Sequence, residues 1–232
     1  MLATDMEEGR AAHRRLQATL DGLVAGDARR PSRLPGWTVG HVLPHLARNA
    51  DGHVRILAAA GRGEVADQYA GGPEGRAADI EVDAGRQEDE LVADVSEASR
   101  RLEDAWAATP PEVWAKGWGR MAAGGCPVSE LPFRRWREVE VHHADLGLGF
   151  GWQDWTAAYV ERELAVTIAD LPTRLPPGRG VRLEASDTGA VWNVPDEVAD
   201  RVTVAAPSRR LLAWLIGRET GPDLPPLPRW GP

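Results

Sequence analysis

Two short stretches carry side chains whose types and spacing can do chemistry. In the run Phe133 to Gly147 (FRRWREVEVHHADLG), Glu138 and His142 stand one helical turn apart, so a helix there offers a carboxylate and an imidazole from one face. In the run Gly40 to His53 (GHVLPHLARNADGH), His41, His45, Asn49 and His53 recur at the same spacing. If the two helices pack face to face, one carboxylate and two or three imidazoles close around a common point. That donor set suits a zinc ion that keeps one coordination position open. Burying an unpaired carboxylate in a helical core is costly, and a metal offsets that cost.

Other chemistries are argued against by what is missing. A zinc protease of the HExxH type carries its glutamate directly after the first histidine, whereas here the run is His41-Val42-Leu43-Pro44-His45. No GxSxG, P-loop or GxGxxG pattern occurs. Cys126, the single cysteine, excludes an internal disulfide and a cysteine-rich zinc site. Its neighbours Gly124, Gly125 and Pro127 read as a loop, and no histidine adjoins it. An open zinc site binds and deprotonates a thiol, and with no poised cysteine in the chain that thiol would come from outside.

The elements that must position these residues follow from periodicity. Met6, Leu16, Leu20, Leu23 and Val24 mark an amphipathic helix over Asp5 to Ala25. Thr38 is placed to cap a second helix running to about Ala60, with a kink expected at Pro44. Gly61 to Gly85 reads as a long polar excursion bordering the site. Leu91, Val95, Ala98, Leu102 and Trp106 form the stripe of a third helix, and Ser129 to Gly147 makes the fourth. Four such helices make a bundle, a common home for metal sites. A fifth helix spans about Thr156 to Asp170. Beyond it the period changes to two: Val181, Leu183 and Ala185 alternate with Arg182 and Glu184, a turn follows at Ser186 to Gly189, and strands near Ala190 to Val194 and Arg201 to Ala205 precede a helix from Ser208 to Ile216. The fold class is therefore α+β in two domains, 1–170 and 171–232, ending in a proline-rich tail.

With 232 residues, 43% hydrophobic and 27% charged, the composition is that of an ordinary globular chain. The formal net charge of -8 argues against nucleic acid as partner, and no apolar run is long enough for a membrane span. The start, MLATDMEEGR, lacks the apolar core of a signal peptide, so a cytoplasmic location is expected. Lys116 is the only lysine, a bias usual in GC-rich genomes.

LPGWTVGHVLPHLARNADG and RWREVEVHHADLG, with GRE near the C-terminus, resemble the mycothiol-dependent maleylpyruvate isomerase family of the DinB-like superfamily. The resemblance covers essentially the whole chain and implies a DinB-like four-helix bundle followed by a small sterol-carrier-like α+β domain. It implies His45, Glu138 and His142 as ligands of a divalent metal, zinc first, and mycothiol as cofactor. Arg218 falls on the family's functional C-terminal arginine, in catalysis and cofactor binding, and His41 and His143 become pocket residues, His41 toward the cofactor. Asp145 either orients a histidine or caps a turn. The implied reaction is addition of a zinc-activated thiolate to C2 of the cis double bond of maleylpyruvate, rotation about the new single bond, and elimination to fumarylpyruvate. A mycothiol S-transferase acting on another electrophile, or a non-catalytic metal- or lipid-binding protein, are the alternatives. Trp37 and Trp136, beside the motif helices, are expected to pack rather than stack on a ligand.

Overall fold

The computed structural model describes residues 1–122 and 124–227, so the end of the proline-rich tail lies outside the described residues. The chain divides into two compact units, Met1–Phe150 and Gly151–Pro232.

The first unit is built on α1 (Leu2–Leu20), α2 (Val39–Gly61), α4 (Glu88–Ala108) and α6 (Leu131–Leu146). Each packs on two of the others, α1 on α6 and α4, α2 on α4 and α6, which closes the bundle. The stripe read from α4 (Leu91, Val95, Ala98, Leu102 and Trp106) is buried. It meets Leu43, Leu46 and Ile56 of α2 and Leu16 and Leu20 of α1 in one solvent-free core. Each such side chain contributes roughly 1.5 to 3 kcal/mol on burial, which holds the helices in register. Helix α2 runs unbroken through Pro44, so the expected kink does not end it. Helix α6 stops at Gly147, whose φ of 69° is left-handed, the conformation glycine adopts without a Cβ penalty.

Three elements were not legible beforehand. The excursion contains α3 (Gly72–Asp83), anchored on α2 through a single buried residue, Ile80. The connector after α4 forms the short helix α5 (Pro111–Lys116). It then turns into an antiparallel hairpin, β1 (Trp118–Met121) with β2 (Gly124–Pro127), which places Cys126 in a strand rather than a loop. Buried Cys126 pairs in register with Gly119.

The second unit contains α7 (Ala157–Asp170), a sheet of order β4-β3-β5 and α8 (Ser208–Leu215). Strand β3 (Gly180–Ala185) pairs antiparallel with β4 (Val191–Val194) and parallel with β5 (Arg201–Ala206). Val181, Leu183 and Ala185 face inward, as their alternation required. Thr156 caps α7 by accepting from the Tyr159 amide, and α7 packs against α8. The division between units therefore falls before α7, earlier than the change in composition at Asp170 suggested. That helix buries Tyr159, Val160 and Leu164 within the second unit. Among the described residues no helix is long and apolar enough to cross a membrane.

Candidate metal centre

Thr38 begins α2, and the ring of His41 turns back to it: the Thr38 amide donates to His41 Nδ1 at 3.2 Å. This closes a capping box with histidine in the place usually held by glutamate or glutamine. His41 Nδ1 is thereby engaged in starting the helix, its ring stacked on Trp37 and its Nε2 3.5 Å from the exposed Glu81 carboxylate. One turn on, the same face presents His45, which is buried. Glu138 and His142 come from α6, and the three residues bring one ligand atom each to within 4.8 Å of one another.

The contacts inside this cluster are specific. Glu138 Oε2 lies 3.1 Å from His45 Nε2 and 3.5 Å from His142 Nε2. Ligand atoms at about 2.1 Å from a tetrahedral ion stand roughly 3.4 Å apart, so these two separations are compatible with a shared divalent ion. Glu138 Oε2 is buried without a hydrogen bond that meets geometric criteria. Its near neighbours are the two imidazole Nε2 atoms, and the donor set of two imidazoles and one carboxylate fits a divalent metal. Asp145 settles its own ambiguity: its Oδ2 lies 2.9 Å from His142 Nδ1, which turns Nε2 toward Glu138.

The electrostatics agree with that geometry. Burial holds His45 down to about 4, helped by the neighbouring His142, so its ring is neutral near pH 7. Burial also opposes the charged form of His142, but hydrogen bonds to Asp145 and Glu138 outweigh it and raise the ring above its ordinary value. Burial would raise Glu138 as well, yet the two imidazoles hold it well below the usual carboxylate range. The carboxylate is ionised and ready to ligate.

Several residues that support the cluster were missed from sequence. Arg135 is fully buried and donates to Leu46 O at 2.7 Å, Asn49 Oδ1 at 3.0 Å, His13 Nε2 at 3.0 Å and Ser99 Oγ at 3.3 Å. One guanidinium thus ties α6 to α2, α1 and α4 directly beneath His45 and Glu138. Behind it His13 Nδ1 meets Glu103 at 2.7 Å. The signal was present, because Arg135 lies one turn from both Leu131 and Val139 on a buried stripe. Arg76 of α3 approaches from the other side, its Nη2 2.7 Å from His45 Nδ1. Trp37 covers an edge of the His45 ring at 5.7 Å, so it packs on the site itself. Trp136 packs away from it, donating to Glu140 at 3.1 Å.

The remaining candidates lie elsewhere. His143 Nε2 meets Thr19 Oγ1 at 2.8 Å and its ring stacks on Phe150 at 3.7 Å. His53 is fully buried on α2, outside the cluster. Arg218 belongs to the second unit, where Gly217 (φ 72°) and the bonds Gly217 N to Trp214 O and Arg218 N to Ala213 O form a Schellman end to α8. Its guanidinium bonds Ile216 O at 2.9 Å.

The family profile described as the Mycothiol maleylpyruvate isomerase N-terminal domain matches residues 10–147, more than half of the chain and nearly all of the first unit. The chain belongs to the mycothiol maleylpyruvate isomerase family. Two solved structures, the mycothiol-dependent maleylpyruvate isomerase and a histidine-to-alanine variant of it, resemble it over 99% of this chain and 97% of theirs at 24% identity, with TM-scores of 0.88 and 0.87. That likeness fixes the fold, α+β with the same run of helices and small sheet. No curated protein sequence matches significantly. In this chain the two motif helices, α2 and α6, carry the convergent donors.

Proposed function

We propose that this chain is a mycothiol-dependent isomerase converting maleylpyruvate to fumarylpyruvate in the cytoplasm, with His45, Glu138 and His142 holding a divalent metal, zinc in the first instance. The observation that carries the reading is the convergence of these three donors, with the Glu138 carboxylate ionised between the two imidazoles. When bound, zinc supplies a low thiol pKa, so that the sulfur is thiolate near neutral pH.

The chain's own residues do the rest. Asp145 fixes the His142 ring, and Arg135 holds α2 and α6 at the separation the ligands need. Trp37 keeps water from one edge of His45. His41 is assigned to the thiol cofactor and Arg218 to a carboxylate, both on the family resemblance, and a guanidinium fork suits the latter task. The thiol adds to the cis double bond, the bond turns while single, and elimination returns the thiol unchanged.

The test is conversion of maleylpyruvate by zinc-loaded and chelator-stripped protein, with and without mycothiol, while free thiol is titrated. Conversion only when both are present, with thiol constant, is expected. Conversion that survives metal removal overturns the reading, and steady consumption of thiol replaces it with an S-transferase.

A further inference from the structure

Arg76 stands out as a cation with no anion. Helix α3 carries Glu74, Asp79, Glu81 and Asp83, yet none of them pairs with it: Glu81 turns to His41 at 3.5 Å and Asp83 to Arg86 at 3.7 Å. Among the described residues no carboxylate lies within ion-pair reach of Arg76. Ile80, the one buried residue of α3, sits a turn further along and holds that face against α2, so Arg76 is aimed by packing rather than by charge. Its guanidinium lies 5.6 Å from the Tyr69 ring centroid, and the Tyr69 phenol in turn meets Asn49. Among the described residues, the acceptor of Arg76 other than that phenol is His45 Nδ1 at 2.7 Å.

That contact has a limited lifetime by simple hydrogen counting. Arginine only donates, so His45 Nδ1 must offer a lone pair, and the neutral ring then keeps its hydrogen on Nε2. Nε2 is the atom that faces Glu138 and His142. With a metal held at Nε2, the ring hydrogen would sit on Nδ1 and Arg76 would face a donor. Its planar fork would then keep only the Tyr69 phenol, with its remaining N–H groups open beside the cluster.

We propose that Arg76 is a specificity-determining residue of this site, the guanidinium of the first unit that holds a carboxylate of the substrate beside the metal cluster. The inference rests on the metal-site reading and assigns a residue of the first unit to one carboxylate of its substrate. A guanidinium offers two parallel N–H groups to a carboxylate, which lysine cannot reproduce.

The test uses the zinc-loaded full chain and succinate, an unreactive dicarboxylate, against its neutral diamide, read by calorimetry. Zinc content is measured first, and a wild-type chain that takes up no zinc refutes the metal reading itself. With zinc loaded, wild type should bind succinate at least tenfold more tightly than the diamide. Arg76→Gln should lose that preference with its zinc content unchanged, while Arg76→Lys keeps part of it. The metal-free Arg76→Gln protein should also take up zinc more tightly than wild type, because a competitor for His45 is gone. Equal succinate affinity in Arg76→Gln and wild type, or no preference for the dianion in wild type, overturns the proposal.

Discussion

At the scale of single residues, the site is a competition between burial and partners. His45 is buried neutral, the two imidazoles hold Glu138 ionised, and Asp145 and Glu138 raise His142 against the pull of burial. Asp145 sets the His142 ring from behind, at Nδ1. Asp145→Asn should therefore weaken zinc binding about 10- to 100-fold, measured by competition with a chromogenic chelator, while leaving the fold intact. The ligand pairs were legible because a turn of helix is a fixed ruler, and Glu138/His142 and His41/His45 sit on its marks. What the ruler left open is which histidine of the first pair turns inward. Thr38 decides it, since the capping box draws His41 to the helix start and leaves His45 facing α6.

At the scale of elements, one buried arginine joins all four bundle helices. Removing the Arg135 side chain strands His13, Leu46 O, Asn49 and Ser99 without their donor, and Arg135→Ala should cost roughly 3 to 5 kcal/mol in urea unfolding. Arg135→Met, which fills the volume, should cost less. A second close contact lies at Gly52, where a Cβ would stand 2.6 Å from Gln68 Cγ and 2.9 Å from its carbonyl oxygen. Gly52→Ala should displace the segment leading to α3 and destabilise the chain by roughly 1 to 3 kcal/mol. Helix α4 could be read directly because five apolar residues repeat on one face. Helix α3 could not, since its packing rests on Ile80 alone, and the β1–β2 hairpin is built partly of glycine, which carries no strand signal.

At the scale of the whole molecule, two units share the chain, and the family match lies in the first. The composition change near Asp170 was real but marked the start of the sheet, not of the unit, because α7 keeps the same helical pattern on either assignment. The bundle also carries buried histidines that never serve as ligands. Burial lowers His13 to about 4 and His53 to about 3, against an ordinary 6.5. The unfolded chain therefore binds protons that the folded one refuses, so stability rises with pH between about 3 and 6.5 and is lost as pH falls through that window. Each histidine accounts for roughly 3 to 5 kcal/mol across it. Metal-free protein should show a steep drop in its urea midpoint from pH 7 to pH 4.5, and a flat midpoint over that range would refute the assignment. The account as a whole turns on the three convergent donors. Its most direct test is zinc titration of chelator-stripped protein by calorimetry, with His45→Ala alongside. One ion per chain bound by wild type, and none with comparable affinity by His45→Ala, is the predicted result; no stoichiometric binding, or binding that the substitution leaves untouched, contradicts it.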